Sequence, residues 1–243
     1  MDRKKHFLWL KVILCIVLIQ ASLFSLTAEK IRKRMIEALG GEKTLTKIND
    51  ITLSGNIELI PYGFSGPITI YQKEPDKLRI DAEIMERIYT QAYDGKTAWA
   101  TNFESGISEE MPEKMAQSIK RDALGVDATL HPEKYGITFT FKGKEKIEEK
   151  EYLLLEQKYR DGYSIVLYVD PLTYLTYKIV ATAFNDLGEE VEAETYYSDY
   201  RKKEGVAISF SQTVYQNNEL YMKITIEEVS VNRGLPDSFF SMD

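Results

Sequence analysis

Apolar and polar residues alternate from residue 51 almost to the end of the chain. Because successive side chains of a β-strand point to opposite faces of a sheet, this period of two predicts strands with one dry and one wet face. In the segment KLRIDAEI, residues 77–84, Leu78 and Ile80 fall on one side and the charged residues on the other. Turn signals such as Asp94-Gly95 separate the runs. About ten antiparallel strands in chain order predict a meander that curls into a barrel or half-barrel.

Two segments depart from this alternation and carry apolar residues at a spacing of four, as an amphipathic helix does. Residues 29–39, EKIRKRMIEAL, are followed by two glycines, which commonly end a helix. In residues 111–124, Met115 and Ile119 fall on one face, and both are predicted to face the sheet. The fold class predicted from the pattern is therefore mainly β with a few helices (α+β).

The first 28 residues have the composition of a secretory signal peptide. A basic start, MDRKKHFLWLK, is followed by the apolar run VILCIVLI and then by small or neutral residues. The apolar run is shorter than the roughly 20 residues that span a bilayer. We therefore expect cleavage near Ala28 and a periplasmic protein. Residues 29–243 are predicted to form a single domain, because no change of composition marks a linker.

Cys15 is the only cysteine, and it lies in the apolar run. Attachment of a lipid to Cys15 is the alternative to cleavage, but a bacterial lipobox has a small residue directly before the cysteine, and Leu14 is not small. A chain cleaved near Ala28 contains no cysteine, which excludes disulfide and thiol chemistry.

The residue inventory argues against an enzyme. After the signal segment the only histidine is His131, and there is no HExxH motif, no Cys/His cluster and no nucleophile elbow. The DxDxDG pattern of a calcium loop is also absent. We therefore predict no catalytic residue, no metal site and no cofactor. The net charge of −7 would repel the phosphates of a nucleic acid, so no nucleic-acid partner is predicted.

Asp170 stands between two apolar runs, in the segment IVLYVDPLTYLTYKIV. An aspartate there could be a catalytic group at the mouth of a cavity or the corner of a hairpin. The following Pro171 supplies the fixed φ of the second position of a turn, and aspartate is favoured before it. We therefore predict a type I turn in a four-residue loop between strands 163–169 and 174–184, with no catalytic role for Asp170.

Several segments together resemble one family. They are EALGGEKTLTKI before a strand that begins ITLSG, YDGKTAW, GKEKIEEKEYLLLE leading to LYVDPLTYL, YSDYRKKEGVAISF and the terminal LPDSFF. In their order and spacing over about 200 residues, they resemble the bacterial outer-membrane lipoprotein-sorting proteins of the LolA/LolB-like superfamily.

The resemblance implies a half-closed antiparallel β-barrel with a helical lid over an apolar trough. It also implies a periplasmic carrier of lipoprotein acyl chains or other lipid, with an inner-membrane donor or outer-membrane acceptor protein as partner. In the carrier type an arginine on an early strand helps to hold the lid shut. Arg79 lies on an early strand, but the alternation points it away from the dry face, so this role is not transferred to it.

Twelve strand residues are assigned to the trough by the alternation, with Met115 and Ile119 of the second helix facing them. The twelve are Leu53, Ile57, Leu78, Ile80, Ile84, Ile165, Leu167, Ile179, Ile208, Phe210, Ile224 and Ile226. Burial of a sixteen-carbon chain in such a trough would contribute on the order of 10 kcal/mol.

The alternative is an envelope sensor or scaffold that carries no lipid. In that case the barrel is filled by its own bulky side chains, for which Phe139, Phe141, Tyr177, Phe210 and Met222 are candidates.

Overall fold

The structure, a computed structural model, describes residues 26–184 and 189–242. The predicted signal segment lies outside the described residues except for its last three. Thirteen strands of the described chain form one antiparallel sheet in the order β6-β5-β4-β3-β2-β1-β13-β12-β11-β10-β9-β8-β7. This confirms the mainly β fold with a few helices and an open barrel. The strand count exceeds the predicted ten, in part because β6 is too short to show an alternation.

The strands fall into two runs. They are β1 Asp50–Leu59, β2 Phe64–Lys73, β3 Lys77–Ile84, β4 Arg87–Tyr93, β5 Ala98–Thr101, β6 Ser108–Glu110, and then β7 Thr138–Ile147, β8 Lys150–Lys158, β9 Ser164–Val169, β10 Thr176–Phe184, β11 Glu190–Lys203, β12 Val206–Gln216 and β13 Glu219–Val231. Pairing of β1 with β13 joins the two runs, while β6 and β7 are the two edges of the sheet. The barrel is therefore open between β6 and β7.

Four α-helices lie among the described residues: α1 Ala28–Leu39, α2 Glu42–Leu45, α3 Glu113–Asp122 and α4 Val126–Leu130. Short 3-10 helices cover Ile60–Tyr62, Pro132–Tyr135 and Asp237–Phe240. The first and third α-helices match the two predicted helices to within two residues at each end. None of the described helices is long and apolar enough to cross a membrane.

Capping groups fix both ends of α1. The Thr27 hydroxyl oxygen accepts a hydrogen bond from the backbone N–H of Lys30 at 3.3 Å, which is the usual role of threonine at a helix N-cap. At the other end Gly40 has a φ of 138°, and the N–H of Gly41 donates to the carbonyl of Ile36. The two glycines therefore end the helix as predicted.

Helices pack on one face of the sheet, which we call the inner face. On α1, Ile31 is fully buried against Leu153, Leu155 and Leu167 of strands β8 and β9. On α3, Ala116, Ile119 and Ala123 pack against Leu78 and Ala98 of strands β3 and β5 in the same way. That second group belongs to a separate cluster near β6. The two helices thus cover opposite ends of the sheet.

The other face, which we call the outer face, carries the C-terminal segment, residues 232–242. The indole N–H of Trp99 donates to the carbonyl of Phe240 at 2.9 Å, and Phe240 is fully buried. Arg79 donates to the carbonyl of Phe239 at 2.9 Å and lies over its ring. Arg79 therefore points away from the inner face, as the alternation predicts, and holds the C-terminal segment rather than a lid.

Candidate functional site: a cavity beneath the first helix

A cavity of about 210 Å³ lies under α1. Its walls come from α1, from residues 121–129 of the α3–α4 segment, and from the inner face of β7 to β10. The apolar side chains that line it include Met35, Ile36, Leu39, Leu124, Phe139 and Leu167. A partly open space with mainly apolar walls suits a hydrocarbon ligand, because most of the chain then contacts apolar side chains.

Arg121, near the C-terminal end of α3, ties this helix to the opposite wall. Its guanidinium donates to the carboxylate of Asp161 at 2.6 Å and lies 3.9 Å from the ring centroid of Tyr163. Both partners belong to the β8–β9 turn, whereas α3 follows β6 at the other edge of the sheet. The pair therefore spans the open side of the barrel.

Arg32 ties α1 to α4. Its guanidinium donates to the carbonyl oxygens of Thr129 and Leu130 at 3.1 and 3.4 Å. These carbonyls belong to the last turn of α4, where a positive charge is favoured by the helix dipole. The described part of the chain places no carboxylate within 4.0 Å of Arg32. The charge of Arg32 at the cavity wall is therefore not neutralised by an ion pair.

Asp122 follows Arg121 and is the acid most affected by its surroundings. Its side chain has accessible surface, yet it is closely surrounded by protein, and this burial raises its pKa to about 6 despite the nearby charge of Arg121. Burial, and then the charge of Asp122, also raise the pKa of Tyr159 and of Tyr197 to about 12. The Asp122 carboxyl is therefore open to water on one side and crowded by protein atoms on the other.

The structure separates the predicted trough residues into groups. Ile165, Leu167 and Ile179 pack with α1, and Leu167 also lines the cavity. The largest group lies in a cluster of the central strands: Leu53, Ile57, Ile80, Ile208, Phe210, Ile224 and Ile226. Of these, Ile80 also packs against the cluster under α3, and Ile208 against a fourth cluster around Leu45 of α2. We call this group, with Ile68, the central cluster.

The remaining predicted residues lie elsewhere. Leu78 and Ile119 pack together in the cluster under α3. Ile84 is half-buried near the end of β3 and belongs to none of the four apolar clusters.

The prediction that Met115 faces the sheet is wrong. Met115 is 49% exposed, whereas the buried face of α3 is formed by Ala116, Ile119 and Ala123. A spacing of four fits this short helix less well than the spacing of three and four that those residues have. Met115 therefore belongs to the water-facing side of the helix.

The proposed packing role of Tyr177 inside the barrel is also wrong. Tyr177 stacks on Tyr152 at 4.4 Å and meets the ring of Tyr196 edge-on. Tyr152 is the strand neighbour of the inner-face Leu153, so these rings lie on the outer face. The cause is an irregularity in the β9–β10 pairing between Thr176 and Lys178, which moves a side chain to the other face.

Several cavity residues were not anticipated from the sequence. Arg32, Leu124 and Ala128 lie on α1 or in the α3–α4 segment, and α4 has only five residues. Five residues are too few to show a helical period, so no pattern in the sequence marks this wall. In the part of the chain that the structure describes, no group of three or more metal-ligating side chains occurs.

Several solved structures have a similar fold, and three of them are crystal structures of bacterial proteins. One is a LolA superfamily protein from Nitrosomonas europaea, with a TM-score of 0.62 and 14% identity, covering 89% of this chain and 98% of that one. The others are a DUF1329 family protein from Desulfovibrio piger and an outer-membrane lipoprotein-sorting protein domain from Vibrio parahaemolyticus. Each has a TM-score of 0.58 and 12% identity, and covers 88% of this chain and 97% of the other.

No protein-family model matches the sequence, and no curated protein matches it. At these identities the likeness concerns the fold alone. The chain thus has the LolA-like fold that its sequence segments resemble.

Proposed function

We propose that the protein binds an acyl chain of a lipid or lipoprotein between α1 and the inner face of the sheet, and carries it across the periplasm without chemistry. The observation that carries this proposal is the cavity of about 210 Å³ with its apolar lining. The LolA-like fold supports it, because the Vibrio parahaemolyticus domain of this fold is described as lipoprotein-sorting. A donor protein at the inner membrane or an acceptor at the outer membrane would be the partner.

The cavity needs to grow before it takes a long chain. Ligand sites of drug-sized molecules are typically about 300–1,000 Å³, and the cavity is smaller than that. The α3–α4 segment is joined to the rest of the wall by the Arg121–Asp161 pair and the hydrogen bonds from Arg32. It is also joined to the β2–β3 turn, where the backbone N–H groups of Val126 and Asp127 donate to the carboxylate of Glu74. Displacement of this segment would extend the cavity towards the clusters under α2 and α3. The segment would therefore act as the lid.

A direct experiment is mass spectrometry of the protein purified from the periplasm without denaturation or detergent. We expect a lipid at close to one molecule per chain, released on unfolding. Protein that carries no lipid and takes up none from vesicles would rule out the proposal.

The central cluster favours a second candidate, a sensor or scaffold that holds no lipid. Phe210 and Ile226 are almost fully buried there by other strand residues. This part of the barrel is therefore filled by its own side chains and offers no room for a ligand. This candidate would be supported if the purified protein contains no lipid and binds another envelope protein in that lipid-free state.

A further inference from the structure

Two arginines stand at the wall of an otherwise mainly apolar cavity, and they differ in their partners. Arg121 is paired with Asp161 at 2.6 Å, and Asp122 follows it in the chain. Among residues 26–184 and 189–242, Arg32 is bonded to two backbone carbonyls and to no carboxylate, and carbonyls carry partial charges that do not cancel a full positive charge. Arg32 is half-buried, so water screens its charge less than at an open surface. Within the described part of the chain, Arg32 is thus a cation at the cavity wall without a counter-ion.

The guanidinium of Arg32 favours an anionic group, whereas the apolar side chains of the cavity favour a hydrocarbon chain. Its planar set of donors matches a carboxylate or a phosphate, each of which it binds with two parallel hydrogen bonds. Only one terminal nitrogen of Arg32 is used in the bonds to Thr129 and Leu130. No described residue accepts a hydrogen bond from the remaining N–H groups, which could therefore bind an anion at the end of a chain that lies in the cavity.

We propose that the ligand of this cavity is an anionic amphiphile, with its chain against Met35 and Leu167 and its carboxylate or phosphate on Arg32. This rests on the proposed function, since it presumes that an acyl chain occupies the cavity, and it adds the class of headgroup. A neutral lipid of the same length would fill the same space without the ion pair. The arginine therefore determines specificity between acyl ligands.

The test compares two ligands that differ only in the headgroup, palmitate and hexadecanol, by displacement of a fluorescent fatty-acid probe at pH 7.5. We expect palmitate to bind about tenfold more tightly, the size of one hydrogen bond to a charged group. Equal affinity would overturn the inference about the headgroup and leave the proposed function standing. Binding of neither ligand would instead overturn the proposed function.

Variants assign the difference to Arg32. Arg32→Met should lose about tenfold in palmitate affinity and keep hexadecanol affinity, which also shows that the cavity is intact. Arg32→Lys should recover part of the loss. Lys33→Met removes the same charge from an exposed neighbour on α1 and should change neither affinity. If Lys33→Met loses as much palmitate affinity as Arg32→Met, the effect comes from the total charge of α1 and not from Arg32. That result would overturn the proposal.

Lysophosphatidic acid separates the two headgroups that share this chemistry. Tighter binding than palmitate would assign a phosphate to Arg32, and weaker binding would assign a fatty carboxylate. Binding that does not respond to Arg32→Met in either case would contradict the proposal.

Discussion

Asp170 shows at the scale of one residue how a turn fixes a carboxylate. One carboxylate oxygen accepts from the N–H of Leu172 at 2.8 Å, and the other accepts from the ammonium of Lys150 at 2.6 Å. The role in the turn is as predicted. The loop is longer, however, running over residues 170–175, because Tyr174 has a φ of 58° and its N–H donates to the Asp170 carbonyl.

The substitution Asp170→Asn tests this role. Burial alone would raise the pKa of Asp170, but the hydrogen bonds from Lys150 and from Leu172 outweigh it and lower the pKa. Since the folded pKa lies below the unfolded one, the stabilisation is complete above about pH 4 and is lost as the pH falls through the folded pKa. We expect Asp170→Asn to reduce the free energy of unfolding by about 1 kcal/mol at pH 7. Urea titrations should show the gap closing towards pH 3, with ligand binding unchanged. A loss of binding by a folded variant would give Asp170 a functional role.

Asp122 should have the opposite pH dependence. Its folded pKa, about 6, lies above the unfolded value, so the folded state holds the proton more tightly and loses stability as the pH rises from about 4 to above 6. We expect the free energy of unfolding of Asp122→Asn to exceed that of the wild type by about 1 kcal/mol at pH 7.5, a small difference because the exposed carboxyl is screened by water. Near pH 3.5 the two free energies should be equal. Urea unfolding at the two pH values measures this. A variant less stable than the wild type at pH 7.5 would show that the carboxylate has a partner when charged.

At the scale of elements, Arg121 joins α3 to the β8–β9 turn on the opposite wall. Arg121→Met removes the pair with Asp161 and the stacking on Tyr163, and we expect faster amide hydrogen exchange in α3 and faster uptake of a fluorescent fatty acid. Because the pair is partly exposed, the cost in global stability should be no more than about 1 kcal/mol. Lys120→Met, on the same helix, is the matched control and should change neither rate. Unchanged exchange in Arg121→Met would mean that α3 is held by its apolar face alone.

The elements differ in how well the sequence predicts them. The alternation places strands such as β3 on the correct face, because a strand is specified by its own period of two. The same rule fails for Tyr177, where an irregular pairing of strands resets the period. It also misses the wall formed by α4, since the position of a five-residue helix depends on contacts distant in the chain. Arg32 is visible in the sequence as one basic residue among several on α1, and only the packing of α4 against it shows that it reaches the cavity.

At the scale of the whole molecule, one open sheet provides two different interiors. The buried centre of the central cluster is formed by strand residues, whereas the ends of the sheet are covered by helices. A ligand can enter most easily where a helix forms the wall, because a helix can be displaced without breaking strand pairing. The cavity under α1 lies at such a place.

The most direct test of this account is a titration of a fluorescent sixteen-carbon fatty acid against the wild type and Ala128→Phe. Ala128 is buried on α4 and lines the cavity, so a phenyl ring there occupies space that the chain needs. We expect the wild type to bind one fatty acid saturably, and Ala128→Phe to bind at least about tenfold more weakly with unchanged strand circular dichroism and a cooperative thermal transition. Equal affinity in a folded Ala128→Phe variant would contradict the claim that the cavity beneath α1 holds the acyl chain.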